Sequence, residues 1–302
     1  MISRHEFLQR RKSGIGGSDV AAVLGLSPWR SPLDVWYDKT DDSAVKEATN
    51  AMPQGETRAL YWGTVLEAEI AKAYSIVTGR KVMRYTRLLQ HPQHQWMLGD
   101  VDRLVYCDNG KRPFVASTGE IVTDRGLECK TARFKGEEWG DEGSDVVPTW
   151  YFVQVQWYMA LCPTIKFFDL AVLFGGSDFQ IFTVARNDEI INKLMLKVGI
   201  YWHNYVLNKV PPPPRTFEEV KKLNPVAELP KITASEKLEY IVRQLAAKTI
   251  QRKELEKGEA DLKFQIAAQM GSAELAELPD GTPLCTFKNS KNGDRRLVVK
   301  VK

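Results

Sequence analysis

Charged side chains in two short segments have the types and the spacing for metal-dependent chemistry. In RGLECKTARF, Glu128 and Lys130 alternate with apolar or small residues, and in MLGDVDRLV, Asp100 and Asp102 are likewise two residues apart. Residues two apart on a β-strand share a face, so each pair is predicted to point to one side. On neighbouring antiparallel strands these groups would form one cluster. Buried like charges need a counter-ion; the alternative is a weak surface ion pair.

The chemistry predicted for this cluster is that of a hard cation. Carboxylates and backbone carbonyls are oxygen ligands that suit Mg²⁺ or Mn²⁺. Lys130 can orient a water or stabilise a developing anion, and its charge complements a phosphate. A further acid, Glu67, lies on the polar side of a predicted helix. A zinc enzyme is disfavoured, because the four cysteines are widely spaced without a CxxC pair and are expected to be reduced thiols.

The elements that would position these groups follow from hydrophobic periodicity. The helix predicted over 60–78 has an apolar stripe of Val65, Ile70, Ala73, Tyr74 and Val77. The other predicted helices begin at Ser18 and near Pro32 and cover 148–162 and 188–208; the predicted strands cover 81–89, 96–106, 114–122, 127–132, 167–174 and 180–184. This order predicts a mixed α/β fold with a central mixed sheet flanked by helices.

A run of prolines, Pro211–Pro214, marks a boundary because it fits neither a helix nor a central strand. We therefore predict a core over 1–210, a proline-rich linker over 211–231 and a third region over 232–302. That third region is predicted to hold a long helical arm and a basic β-hairpin with a turn at Asn292-Gly293. The arm has a heptad seam of Leu238, Ile241, Leu245, Leu255, Leu262 and Ile266, interrupted by Lys248, Arg252 and Glu259.

Composition sets wide limits on the class of protein. The 302 residues are 43% hydrophobic and 26% charged, which is ordinary for a globular chain, and the net charge of +4 permits a polyanionic partner without requiring one. No apolar run approaches the roughly 20 residues that span a bilayer. Polar and charged residues follow Met1, so we expect no signal peptide and a cytoplasmic location.

The order of four segments resembles the phage lambda exonuclease and YqaJ-like viral recombinase family of the PD-(D/E)xK nuclease superfamily. The segments are RKSGIGGSDVAAVLG, GTVLEAEIAKAY, GDVDRLV followed by GLECK, and YFVQVQWYM, spanning roughly residues 10–160. The resemblance implies a restriction-endonuclease-like core. It does not extend to the chain beyond about residue 215.

The resemblance also implies roles for individual residues. Asp102, Glu128 and the backbone carbonyl of Cys129 are implied metal ligands, and Lys130 is the implied catalytic lysine. The remaining implied roles are Glu67 as an acid that supports a second metal or its water, Gln154 as a buttress with Tyr158 one turn on, and Arg11 and Ser18 as ligands of a DNA terminal phosphate.

Several departures from the family pattern leave alternatives open. Val101 stands where the family usually has proline, Asp100 is a rival ligand, and the long gap before Glu128 implies an insertion that leaves Glu120 as a remote competitor. Gln156 could be confused with Gln154.

The function implied by the resemblance is phosphodiester hydrolysis of double-stranded DNA with one or two Mg²⁺ ions, Mn²⁺ being a substitute. It implies a 5′-to-3′ exonuclease that leaves 3′ overhangs for a single-strand annealing protein, and a homo-oligomer such as a ring-shaped trimer. Two alternatives stand beside it: an endonuclease or structure-selective nuclease of the same superfamily, and a non-catalytic DNA-binding subunit.

Overall fold

The computed structural model describes residues 4–41, 57–107, 110–117, 120–227, 231–290 and 293–300. The helices are α1 (Arg4–Lys12), α2 (Gly17–Val23), α3 (Pro32–Thr40), α4 (Thr57–Thr78), α5 (Thr149–Leu161), α6 (Asp188–Tyr201), α7 (Phe217–Leu223) and α8 (Glu236–Met270), with a π-helical segment over Trp202–Leu207. The strands are β1 (Val82–Arg84), β2 (Leu89–Gln90), β3 (Leu98–Gly99), β4 (Arg103–Val105), β5 (Phe114–Val115), β6 (Ile121–Val122), β7 (Arg125–Ala132), β8 (Phe167–Phe174), β9 (Asp178–Ala185), β10 (Leu275–Glu277), β11 (Pro283–Asn289) and β12 (Arg295–Val299).

A five-stranded mixed sheet in the order β1-β4-β7-β8-β9 forms the centre of the first unit. The strands β7 and β8 are parallel, and the other neighbours are antiparallel. The segment FFDLAVLF of β8 is almost continuously apolar and buried, as expected for a strand covered on both faces. The predicted mixed α/β fold with a central mixed sheet is confirmed.

Helices cover both faces of this sheet, and the period-two alternation of β7 distributes its side chains between them. Leu127 packs with Ile70 and Tyr74 of α4 in one apolar cluster. On the other face, α5 contributes Val155 and Trp157 to the main core. The side chains of Glu128 and Lys130 therefore lie on the face toward α5, opposite Leu127.

The predicted stripe of α4 is only partly correct. Ile70 and Tyr74 are fully buried, whereas Val65 and Val77 are 45% and 64% exposed. The helix packs on the sheet through Leu66, Ile70, Ala71 and Tyr74, so the contact face is rotated from the predicted stripe and Val65 and Val77 lie beside it.

Two predicted strand regions are shorter and more broken in the structure. The regions 81–89 and 96–106 contain only β1 to β4, of two or three residues each, and the region 114–122 is the small hairpin β5–β6. This hairpin is the insertion expected between the two strands of the cluster. Pro92 lies in a bend between β2 and β3, and Pro113 stands directly before β5, where a residue without an N–H limits pairing.

The chain divides into two compact units, one ending at Leu223 and one starting at Asn224. In the first unit, Lys222 of α7 forms an ion pair with Asp34 at 2.9 Å, and Tyr37 donates to its carbonyl. The predicted linker over 211–231 therefore overlaps the end of the first unit, because residues after the prolines pack back on α3.

The second unit contains α8 and an antiparallel sheet in the order β10-β11-β12. The predicted hairpin corresponds to β11 and β12, and β10 adds a third strand. Asn292 of the predicted turn lies outside the described residues. Among the helices that the structure describes, none combines the length and apolarity needed to cross a bilayer.

Candidate active site

The antiparallel pairing of β4 with β7 brings Asp102 next to the Glu128 segment. Arg103 is paired with Leu127, and Asp102 lies at the bend immediately before β4. The backbone N–H of Cys129 donates a hydrogen bond of 2.7 Å to Oδ2 of Asp102. The carboxylate is thus held by the strand that carries Glu128.

Glu128 is the most deeply buried acid of the cluster, with 4% of its surface exposed. Its Oε1 accepts hydrogen bonds from Nζ of Lys130 at 2.6 Å and from Nε2 of Gln154 at 2.7 Å. Its Oε2 is buried and has no hydrogen-bond partner among the described residues. A buried acceptor of this kind is rare in proteins and is consistent with a ligand at that oxygen.

Burial and mutual repulsion make ionisation of the two acids unfavourable. Burial, followed by the charge of Glu128, raises the pKa of Asp102 well above its ordinary value. Burial also raises the pKa of Glu128, despite the adjacent Lys130, and Asp100 and Glu67 add to the effect. A cation between the two acids would remove this penalty.

Lys130 retains its positive charge in this environment. Burial acts to lower its pKa, but Glu128, Tyr151 and Asp102 outweigh burial and hold the pKa above its ordinary value. Its Nζ also lies 3.3 Å from Oε1 of Gln154 and 4.8 Å from the centre of the Tyr151 ring. A Lys130 whose pKa lies above its ordinary value suits charge stabilisation better than proton abstraction.

Glu67 is linked to the cluster through Arg103, a residue that the sequence did not single out. Nη1 of Arg103 donates to Oε1 of Glu67 at 2.5 Å and to the carbonyl oxygen of Asp102 at 2.6 Å. Arg103 is 6% exposed. It ties α4 to the bend that carries Asp102, and only the pairing of distant segments reveals this link.

The two glutamines of α5 lie in different environments. Gln154 is 6% exposed, and its Nε2 also donates to the hydroxyl of Tyr158 at 2.9 Å. Gln156 instead donates to the carbonyl of Ala185 and accepts from the N–H of Asn187. The structure therefore brings Gln154, and not Gln156, into the cluster.

A small cavity of about 90 Å³ adjoins the cluster. It is lined by Arg11, Gly16, Gly17, Ser18, Leu88, Leu98, Gly99, Asp100 and Tyr158. Nη2 of Arg11 donates to Oγ of Ser18 at 3.1 Å. A Cβ at Gly17 would lie only 2.4 Å from the Tyr158 ring, so glycine is needed for this approach. Tyr158 lines the cavity and accepts from Gln154, which also donates to Glu128.

The rival acids occupy different positions. Asp100 is exposed and lines the cavity near Arg11. Partial burial of its carboxyl raises its pKa, and the positive charge of Arg11 offsets part of that rise. The charge of Asp100 still reaches Glu128. Glu120 is exposed between β5 and β6, in the insertion. Asp102 accepts a hydrogen bond from the β7 backbone beside Glu128, which favours it over the rival acids.

Asp19 is a further buried acid whose role the sequence analysis missed. It is fully buried, pairs with Nζ of Lys39 and Nη1 of Arg30 at 2.8 Å each, and accepts from the N–H of Gly16. Lys39 also donates to the carbonyl of Arg11 at 2.9 Å. Although burial acts in the opposite direction, these cations hold the pKa of Asp19 at about 2. In the sequence, Asp19 indicated only a helix start.

The donor set fits a hard cation with few protein ligands. In the part of the chain that the structure describes, no three His, Cys, Asp or Glu side chains are arranged as a metal site. A cation would depend on Asp102, the orphaned Oε2 of Glu128, the carbonyl of Cys129 and water. Mg²⁺ commonly keeps several waters and takes only one or two carboxylates.

Comparison with known protein families shows a match over the part of the chain that contains the cluster. The model of the YqaJ-like viral recombinase domain matches residues 6–164. The uncharacterized protein YqaJ of Bacillus subtilis (strain 168) is 36% identical over 208 residues, covering 68% of this chain and 57% of that protein. The chain thus spans a little over half the length of this curated relative.

Two solved structures show a partial likeness. An alkaline exonuclease, LHK-Exo, from Laribacter hongkongensis is 16% identical, with 72% of this chain and 96% of that chain covered and a TM-score of 0.46. A phage related exonuclease from Haemophilus somnus 129PT is 11% identical, with 65% and 95% covered and a TM-score of 0.41. On the match over residues 6–164, which contain every residue of the cluster, the chain belongs to the YqaJ-like viral recombinase domain family.

Proposed function

We propose that this protein is a Mg²⁺-dependent deoxyribonuclease that hydrolyses phosphodiester bonds of double-stranded DNA. The observation that supports this most is the unsatisfied, buried Oε2 of Glu128 beside Asp102 and a positively charged Lys130. Repelling acids next to a fixed cation are arranged for a metal ion and a phosphate. A purely structural ion cluster would be expected to satisfy both oxygens of a buried carboxylate.

The metal would be held by Asp102, Glu128 and the carbonyl of Cys129, with Glu67 acting through water. A bound Mg²⁺ supplies Lewis-acid stabilisation of the phosphoryl oxygens and lowers the pKa of a bound water. Lys130 offsets negative charge on the scissile phosphate. Gln154 holds Oε1 of Glu128 in place, which leaves Oε2 directed away from the protein donors.

The direction of digestion is proposed from the adjoining cavity. Arg11 supplies a positive charge and Ser18 a hydroxyl, both suited to a terminal phosphate. Because Asp100 and Tyr158 also line this cavity, we expect a 5′-phosphate held there to direct the next phosphodiester bonds of its strand to the carboxylates. We propose on this basis a 5′-to-3′ exonuclease that leaves 3′ overhangs. Its further proposed partners are a single-strand annealing protein and other copies of the chain, such as a ring-shaped trimer.

The test uses the full-length protein and a linear duplex with a 5′-phosphate, labelled separately at each end. Wild type and Lys130→Ala are compared in Mg²⁺, Mn²⁺ and EDTA, with Lys197→Ala as a matched control because Lys197 is an exposed lysine of α6. A closed circular duplex is digested in parallel. We expect the 5′ label to be released as mononucleotide by wild type and Lys197→Ala only with a divalent cation, and about 100-fold more slowly by Lys130→Ala.

The other outcomes point to the alternatives. Cutting of the closed circle would favour an endonuclease. Binding of DNA by both proteins without hydrolysis, over a range of Mg²⁺, Mn²⁺ and pH, would favour a non-catalytic DNA-binding subunit. Release of the 3′ label first would reverse the proposed polarity while leaving the chemistry intact.

A further inference from the structure

The long helix α8 is the feature that the proposed nuclease function leaves unexplained. It has 35 residues, a Ser235 N-cap and no buried residue. Among its exposed apolar side chains, Leu245, Leu255 and Leu262 are 65%, 75% and 61% exposed. An isolated helix of this kind gains most of its stability from packing an apolar face, so a face left uncovered indicates an interaction surface.

The heptad seam contains charged residues at three of its core positions. Continuing the a and d spacing through the helix places Lys248, Arg252 and Glu259 in line with Leu245, Leu255 and Leu262. Lys248 has no recorded ion-pair partner in the described part of the chain, and Glu259 pairs only with Lys263 on its own helix, at 2.5 Å. A partner helix must therefore accommodate these charges.

A second copy of α8 running antiparallel pairs two of these three charges, Lys248 and Glu259, in one register. Arg252 then faces the second copy's Leu255 and keeps its ion pair with Glu256 of its own helix at 3.1 Å. Ile241 then faces the second copy's Ile266, Leu245 faces its Leu262, and Lys248 faces its Glu259. In each layer an a position meets a d position, as antiparallel packing requires, and by symmetry each pair occurs twice.

This register also overlaps nearly the full length of the two helices, because its centre lies between Lys253 and Glu254, at the middle of Glu236–Met270.

The competing arrangements place like charges together. A parallel pair would stack Lys248 on Lys248, Arg252 on Arg252 and Glu259 on Glu259, and a parallel trimer would do the same with three copies. Shifting the antiparallel register by one heptad in one direction places Lys248 opposite Arg252. Shifting it in the other direction faces Lys248 with Ile266 and Glu259 with Leu255, so no charge of the seam is paired across the interface. Charged core positions are known to fix register and orientation in this way.

We propose that α8 is a self-association surface that pairs with a second copy of this chain in an antiparallel coiled coil, in register by contact of Lys248 with the second copy's Glu259. One edge of the seam carries Gln244, Gln251, Gly258 and Gln265, which are uncharged, so nothing along that edge opposes self-pairing. The pairing goes beyond the proposed nuclease function, and its test does not depend on hydrolysis.

The test is cross-linking of the full chain at the edge of the seam. Gln244 and Gln265 are exposed, and the antiparallel register brings Gln244 close to the second copy's Gln265. Two single variants, Gln244→Cys and Gln265→Cys, are each treated with a short bis-maleimide, and so is an equal mixture of the two. Wild type measures the background of cross-linking through the native cysteines. We expect about tenfold more cross-linked dimer in the mixture than in either variant alone.

A charge exchange tests the register in the same cysteine backgrounds. Lys248→Glu alone places two acids opposite each other and is expected to reduce cross-linking about tenfold, whereas Lys248→Glu with Glu259→Lys restores it. Ile250→Glu is the matched control, because Ile250 is 58% exposed but lies on the opposite side of the helix from the seam. Far-UV circular dichroism confirms that each variant keeps its helix.

Each other result overturns the proposal. Cross-linking of Gln244→Cys with itself would show parallel pairing, and a mixture no better than wild type would show no pairing. Loss of cross-linking in Ile250→Glu, or no rescue by the charge exchange, would show that the seam is not the interface.

Discussion

The two oxygens of Glu128 have different surroundings, and this difference carries most of the functional argument. Among the residues that the structure describes, Oε1 receives two donors at 2.6 and 2.7 Å, whereas Oε2 receives none. A buried acceptor without a partner costs about 1–3 kcal/mol. The protein retains this cost at the same place where burial raises the pKa of both Glu128 and Asp102. Such concentrated destabilisation is typical of functional sites.

The choice between Asp100 and Asp102 is tested by paired substitutions. We expect Asp102→Asn to lower the rate of the proposed Mg²⁺-dependent hydrolysis about 100-fold or more, because it removes one of the two proposed ligand charges while keeping an acceptor for the Cys129 N–H. Asp100→Asn, at an exposed position, is expected to lower the rate less than about tenfold. The measurement is kcat on the linear duplex; a reversed order of the two effects would make Asp100 the ligand.

Asp19 makes a prediction about stability and its pH dependence. The cations around it hold its pKa at about 2 against an ordinary value of 3.8, so Asp19 stabilises the folded state above about pH 4 and this contribution is lost as the pH falls toward 2. Asp19→Asn should lower the free energy of unfolding by about 2 kcal/mol or more at pH 7, with a smaller difference below pH 4. Urea denaturation at several pH values measures this.

The control for Asp19→Asn is a substitution of Asp38, which lies beside the same two cations, Arg30 and Lys39. Asp38 lies 3.4 Å from Arg30 and 3.8 Å from Lys39, but its side chain is 53% exposed. Asp38→Asn is expected to change the free energy of unfolding by less than about 0.5 kcal/mol. Equal losses in the two variants, or a loss in Asp19→Asn that does not shrink at low pH, would contradict the assignment of stability to the buried pair.

At the scale of elements, the sequence pattern predicted the face on which a side chain lies wherever that face depends only on the residue's neighbours in the sequence. The alternation in β7 placed Glu128 and Lys130 on one face, and helical spacing found α4 and α5. The sequence could not reveal Arg103 or Asp19, because their partners Glu67 and Lys39 come from other elements. It also misplaced part of the buried stripe of α4, since Val65 fits the helical spacing but lies beside the contact face of Leu66 and Ile70.

The contact of α2 with α5 gives an element-scale prediction. A Cβ at Gly17 would lie 2.4 Å from Cε1 of Tyr158, so Gly17→Ala should cost about 1–3 kcal/mol and should reduce activity by moving the hydroxyl that accepts from Gln154. Gly63→Ala in α4 is the matched control, because the nearest atom to its added Cβ is 3.8 Å away.

We expect Gly63→Ala to be neutral or to stabilise the fold by up to about 1 kcal/mol through helix propensity. Thermal unfolding and kcat are measured for both variants. If Gly17→Ala were as stable and active as Gly63→Ala, the close approach of α2 to Tyr158 would not be needed for the site.

At the scale of the whole molecule, the net charge of +4 conceals an uneven distribution. The second unit ends in a sheet where Lys288 of β11 is directly opposite Arg296 of β12, and both are exposed. Like charges opposite each other on neighbouring strands destabilise a sheet unless an anion lies between them. Under the proposed function, this pair is therefore a candidate for contact with DNA phosphates in addition to the carboxylate cluster.

Neutralising that pair tests whether the second unit contributes to DNA binding. Each lost phosphate contact reduces the slope of log K against log salt by about 0.9, so Lys288→Gln with Arg296→Gln should reduce it by about 2 and weaken binding most at low salt. The matched control is Lys253→Gln with Lys257→Gln, which removes the same charge from exposed positions of α8. Fluorescence anisotropy with a short duplex in EDTA separates binding from hydrolysis. An equal change of slope in both double variants would attribute the effect to net charge alone, and an unchanged slope in both would confine DNA contact to other residues.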